Sequence, residues 1–380
     1  DTYPQPSQKP SQKRKSSKMI VKDIRTTALS IPFTDPPRWS ADYNRPREIL
    51  VVEIETASGI TGMGYLMVLS GGLRTIQACI DELIAPMVLG RSIAAVEAIW
   101  QDIWQSTYWV GRMGVSVFAQ SAIDIALWDA LGKQAGLPLY QLWGGAQDDG
   151  VIASYGSGCW RGLGRDGMIE KAQAYVAKGF DAIKMQTGHM YDHDTDVANV
   201  AAMRQALGDG VAIMVDVNMG WTADEAIEVG RRLDDYNIHW LEEPVVAEDF
   251  AGYFRIADAL KTRVVGGESH FTHYDLAPFF DNPKIPILQP DMMRGGLTQL
   301  RRIATLAHAK GIRIAPHLFH ELMVQVMAAI PNPDVLEYVN FLDDVWVEPV
   351  LPEGNMLRPP NRPGHGLDFK PEILRDYAIK

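Results

Sequence analysis

Cysteine is nearly missing from this chain: only Cys79 and Cys159 occur in 380 residues. Two thiols cannot build a disulfide framework, so a reducing compartment, and with it a cytoplasmic location, is expected. Positive charge is also short, with 36 lysines and arginines against 47 acids and a formal net charge of -11. That balance argues against nucleic acid or an anionic membrane as a general partner. A small anionic substrate stays open, because a bound metal can reverse the local field. No run is read as approaching the roughly 18 apolar residues that would span a bilayer. No GxGxxG follows the first strand of the alternating part of the chain, which takes away the main support for dinucleotide binding. The opening DTYPQPSQKPSQKRKSSK, residues 1–18, is polar and basic and is expected to be a disordered leader or tag.

What is present is ample apolar material, 47% of the residues, enough for a large core and two domains. From Met19 the stretch VKDIRTTALSI alternates, a Pro-rich segment follows, and EILVVEIETASGITGMGY reads as a meander with a Gly turn. Helical patterns over about 73–85 and 91–107 come next, and SVFAQSAIDIALWDALGKQAG stops at Gly136 before Pro138. Strands first and helices later predict an α+β domain over 19–145.

From about residue 146 the rhythm changes. The apolar strands VIASYG, DAIKMQ, AIMVD, IHWLE, TRVVGGE, IPILQPD, IRIAPH and VLEYV alternate with amphipathic helices up to about residue 349. Strands apolar throughout and separated by helices predict a parallel sheet covered on both faces, and about eight units favour an α/β barrel of the TIM type. The segment 350–380 is expected to pack back on the first domain.

The strand ends carry the chemistry. Asp216, Glu242 and Glu268 end three successive strands at intervals of 26 residues, one barrel unit each. In a barrel such ends ring a single mouth, so three carboxylates converge and need a cation. An all-oxygen set suits Mg2+ or Mn2+ rather than Zn2+. Lys184, Asp291 and His317 end further strands, and Asp291 is placed to orient His317 and raise its basicity. Glu337, inside an apolar strand, is expected to be kept protonated by burial and to donate a hydrogen bond. Asn218 falls on the same side as Asp216.

With these residues in place, the sequence resembles the enolase superfamily, in its mandelate racemase-like branch. The resemblance covers nearly everything after Met19 and rests on AIDIALWDALGKQAGLPLYQLWGG, KMQ, VDVN, WLEEP, GGES, QPDMMRGG, IAPH and LEYV in order. It implies a capping domain over 19–145, completed by 350–380, closing on a modified (β/α)7β barrel over 146–349. It also implies a homo-oligomer. Residue by residue, Asp216, Glu242 and Glu268 match the Mg2+ ligands, and Asp291 and His317 the acid–base dyad. Glu337 matches the acid that bonds the substrate carboxylate, and Lys184 the first lysine of the family's KxK. Where the second lysine would stand, this chain has Gln186.

The implied shared step removes a proton alpha to a carboxylate, with His317 as base. Racemisation needs a donor on the opposite face, which Gln186 does not provide. Elimination of a β-hydroxyl needs one base and one acid, and His317 can serve as both when the hydroxyl leaves from its own side. The expected reaction is therefore dehydration of a sugar acid, an aldonate or aldarate, to the 2-keto-3-deoxy acid. A racemase or epimerase of a 2-hydroxy acid is the alternative, and a non-catalytic metal–carboxylate binder the third reading. Specificity is expected from two capping loops, 33–45 and 66–72. Arg38 and Trp39, with Gln186 and Asn218, are the candidate substrate contacts.

Overall fold

The computed structural model describes residues 18–40, 45–69, 71–145 and 150–379. Residues 1–17, 41–44 and Ser70, which fall in the leader and in the two capping loops, lie outside the described residues. Strands β1 (Val21–Ile31), β2 (Arg47–Thr56) and β3 (Thr61–Val68) form an antiparallel meander. Helix α1 (Val96–Ser106) packs on the long α2 (Val115–Ala135), which covers the meander. The GMG of β3 shows why the helix can lie so close. A Cβ at Gly62 would sit 2.2 Å from the Ala126 carbonyl oxygen, and one at Gly64 would sit 2.0 Å from that of Ala122. Helix α2 is long and apolar enough to cross a membrane, contrary to the reading of the sequence, yet 83% of its apolar window is buried inside the protein. Its pattern is that of a core helix, apolar all round because it is covered all round.

Eight parallel strands follow, where the sequence predicts them: β4 (Ile152–Cys159), β5 (Ala182–Gln186), β6 (Ala212–Asp216), β7 (Trp240–Glu242), β8 (Arg263–Val265), β9 (Ile287–Leu288), β10 (Arg313–Ile314) and β11 (Leu336–Tyr338). The ladder runs β11-β4-β5-β6-β7-β8, with β9 paired to β10. Single parallel bridges, Gly266 to Leu288 and Ile314 to Pro333, complete the ring. Seven helices connect the eight strands, from α3 (Gly164–Ala177) to the last, α4 (His320–Met327), which precedes β11. This is the modified (β/α)7β arrangement. Tyr155, Ala182, Met214, Trp240, Val265, Ile287 and Ala315 fill the interior as one buried layer, so the barrel is plugged below its mouth.

Helix α2 also grips the barrel where the site is built. Asp124 accepts from the Thr298 backbone N–H (2.9 Å) and hydroxyl (2.5 Å). Trp100 Nε1 donates to the Gly295 carbonyl (2.9 Å), and the Ser121 hydroxyl donates to that of Met292. These bonds fix the turn that follows Asp291. The C-terminal segment returns to the meander, with the Ser30 N–H donating to Tyr377 O (3.0 Å) and the Ile379 N–H to Ala28 O (2.8 Å).

Candidate active site

Barrel register puts Gln186, Asp216 and Glu242 in one row, because β5 pairs with β6 and β6 with β7 at those residues. Side chains alternate along a strand, so Lys184 and Gln186 share the inner face with Ala182. Above the plug lies a cavity of about 680 Å³. Its lining includes Lys184, Gln186, Asp216, Asn218, Glu268, Asp291, His317 and Glu337. Glu242 is fully buried and does not line it.

Lys184 links Glu242 to Glu337. Its Nζ stands 2.6 Å from Glu242 Oε1 and 2.9 Å from Glu337 Oε1. Burial works against the ammonium, yet Glu242 and Glu337 hold its pKa well above the usual lysine range. The two acids respond differently to this one lysine. Burial, with Asp216 and Glu337 nearby, pushes Glu242 up to about 7 despite Lys184. Burial also raises Glu337, but Lys184 and His317 overcome it and bring it down to about 2. Its Oε2 accepts from the Leu318 N–H at 3.0 Å. Glu337 is thus an ionised acceptor, and the expectation that burial keeps it protonated is corrected. Two cations outweigh desolvation where one does not.

His317 Nδ1 lies 2.8 Å from Asp291 Oδ2, and Asp291 Oδ1 accepts from the Met293 N–H at 2.7 Å. The carboxylate therefore holds the imidazole by Nδ1 and leaves Nε2 directed elsewhere, 3.6 Å from Glu268 Oε1. Burial would lower the histidine, but Glu268 and Asp291 raise it to about 10.

Asp216, Glu242 and Glu268 interact with one another through their charges. Burial raises Asp216 and Glu268, and each carboxylate's like-charged neighbours add to that shift. Among the described residues, no group of three or more His, Cys, Asp or Glu side chains, Asp216, Glu242 and Glu268 included, stands placed to hold a metal ion. The oxygens are turned to protein donors instead. Asp216 accepts from the Asn218 N–H (2.8 Å) and Nδ2 (2.7 Å), while Glu242 accepts from Lys184 and from Trp240 Nε1 (2.9 Å). The chemistry of the set still fits a hard divalent cation: oxygen donors only, buried, and mutually repelling. Glu243 points the same way. It is fully buried at a left-handed φ of 39°, neither of its carboxylate oxygens has a partner, and burial with Glu268 and Asp216 nearby raises its pKa well above normal. The four acids of this cluster outnumber the three cations that act on them, Lys184, Arg161 and His317.

Of the remaining candidates, Trp39 lines the cavity, edge-on to Trp160 and Phe341. Arg38 does not line it: its side chain is exposed, and its carbonyl accepts from the Gly162 N–H (2.7 Å). Arg45, Met67, Val68 and Leu69 bring both capping loops to the mouth. Sequence reasoning missed Arg161 and Arg294, which also line it. Arg161 lies just beyond β4, but the sequence reading ends that strand at Gly156, so the strand-end logic that found Asp216 stops short of it.

Two family models match. Residues 23–144 fit the mandelate racemase / muconate lactonizing enzyme N-terminal domain, and residues 167–373 fit the enolase C-terminal domain-like model. A 3,6-anhydro-alpha-L-galactonate cycloisomerase of Streptomyces coelicolor is 36% identical over 95% of this chain and all of its own length. A racemase from Streptomyces coelicolor, solved with bound magnesium, superposes with a TM-score of 0.89 at 34% identity, over 95% of this chain and 100% of that one. L-Talarate dehydratase from Polaromonas, solved with Mg and L-glucarate, gives 0.88 at 29%, over 95% and 98%. The chain belongs to the mandelate racemase / muconate lactonizing enzyme branch of the enolase superfamily.

Proposed function

We propose that this protein is a Mg2+-dependent dehydratase of an acid sugar, an aldonate or aldarate, releasing water to leave a 2-keto-3-deoxy acid. The cap of residues 19–145, with 350–380, would close over a catalytic barrel of 146–349. One observation carries the reading: an oriented His317–Asp291 pair on one side of the cavity, and at position 186 an amide that cannot carry a proton.

Asp216, Glu242 and Glu268 would hold the ion. Magnesium, when bound, offsets the negative charge that grows on the substrate carboxylate as the alpha proton leaves. Lys184 adds its ammonium to the same task, kept in place by ionised Glu337. Glu268 is the first of the groups that raise His317, so neutralising Glu268 frees the imidazole to act as base. His317 Nε2 takes the alpha proton, and the C–H electron pair forms the double bond to the β carbon. The β C–O bond breaks, and the proton held by His317 leaves with the hydroxyl as water. The enol then tautomerises to the ketone.

Racemisation remains the alternative, because His189 lines the cavity on the Gln186 side, with Nε2 donating to the Asn218 carbonyl at 2.9 Å. Its Nδ1 is the atom a second acid would use. The deciding experiment incubates Mg2+-loaded protein with a panel of aldonates, aldarates, cyclic sugar acids and 2-hydroxy acids in D2O. Dehydration gives 2-keto-3-deoxy products, and His189→Asn leaves that rate within about threefold. Inversion with deuterium uptake, no keto product, and loss of both in His189→Asn would establish the racemase instead. A product isomeric with a cyclic substrate would identify ring opening in place of water loss.

A further inference from the structure

We infer that Arg161 and Gln186 together form a subsite for one substrate hydroxyl, on the side of the cavity facing away from His317. The inference rests on the acid-sugar reading above and names which feature of the sugar is recognised.

Hydrogen-bond parity carries it, starting from Arg161. A guanidinium only donates, so the Asn218 side-chain atom that Arg161 bonds must be the amide oxygen, and the NH2 group faces Asp216 Oδ2 at 2.7 Å. That fixes Asn218 Oδ1 as an acceptor facing the other way. Two donors converge on it: the Arg161 guanidinium and Gln186 Nε2, the latter at 2.9 Å. Gln186 is thereby fixed as well. Its NH2 is committed to Asn218, and its Oε1 can only accept.

Both remaining atoms are unsatisfied. Gln186 Oε1 and Arg161 Nε are buried without a partner, in side chains that line the cavity and bond the same Asn218 oxygen. A buried polar atom left unpaired is destabilising, so such a pair is a place for a ligand group. The two ask for opposite things, since Arg161 offers N–H and Gln186 offers a lone pair. A carboxylate can answer only the arginine and would face the glutamine oxygen with like polarity. A hydroxyl answers both, accepting from Arg161 and donating to Gln186. The same polarity keeps Gln186 from delivering a proton to carbon.

The test uses Mg2+-loaded protein, a sugar acid that it turns over, and analogues each lacking one hydroxyl that the reaction itself does not consume. In the wild type, one such deletion lowers kcat/KM by about 10- to 100-fold. In Gln186→Met and in Arg161→Met the same parent-to-analogue ratio falls below about threefold, whatever happens to the absolute rate. A purely structural role would lower both substrates equally and leave the ratio at its wild-type value, which overturns the inference. So does a wild-type series in which no single deletion costs more than about threefold, a result needing no variant to fold. Wild-type protein that converts no sugar acid removes the functional reading and this subsite together. Turnover with an unchanged ratio removes only the subsite.

Discussion

The two sides of the cavity are built from the same strand ends but from opposite chemistry. From β8 round to β11, the mouth carries Glu268, Asp291, His317 and Glu337, every one of them titratable. From β4 to β6 it carries Lys184, Asp216 and His189 and, between them, Arg161, Gln186 and Asn218, a guanidinium and two amides locked to one another by hydrogen bonds. One side holds an oriented acid–base pair, and the guanidinium and amides of the other hold a shape. Position along a barrel strand decides that a residue reaches the mouth, whereas its identity and neighbours decide what it does there.

The largest expected effect falls on the proton-moving side. His317→Asn removes the base while sparing the carboxylates, so kcat falls by about 10³- to 10⁴-fold with Mg2+ affinity little changed. Calorimetric titration of the metal beside the turnover assay checks both halves. Residual turnover near the wild-type level would erase the contrast between the two sides.

A smaller effect sharpens it. His317 is raised to about 10 against burial, with Glu268 the first of the groups that raise it. Mg2+ bound at Glu268 should therefore lower the His317 pKa. The sign is fixed by charge: a neutralised Glu268 no longer favours the imidazolium. NMR titration of His317 with and without Mg2+ reads the shift. An unchanged or higher value would mean that the ion does not share Glu268.

Much of this was legible in the sequence because the barrel repeats. Eight apolar strands at unit spacing predict eight staves, and the 26-residue intervals from Asp216 to Glu242 to Glu268 place three acids on one rim. The acid-to-histidine interval gave Asp291 and His317, which meet at 2.8 Å. What the sequence could not show was pairing across closure. Glu337 reads as a lone acid in an apolar strand, and a lone buried acid is protonated. Only when β11 lies beside β4, and β4 beside β5, does Lys184 come within 2.9 Å of it and reverse that state. Arg38 failed for a related reason: loop residues obey no period, so a charge beside two prolines gives no direction. Helix α2 reaches the length and apolarity of a membrane span, which the sequence reading did not register, because a core helix packed on all sides has that composition.

The central claim is that Asp216, Glu242 and Glu268 share one divalent ion. Anomalous diffraction from crystals grown with Mn2+ in place of Mg2+ tests it directly. The account expects one peak at about 2.0–2.3 Å from an oxygen of each carboxylate, with Lys184 released from Glu242. A peak elsewhere, or none with the Lys184–Glu242 pair intact at saturating Mn2+, would contradict it.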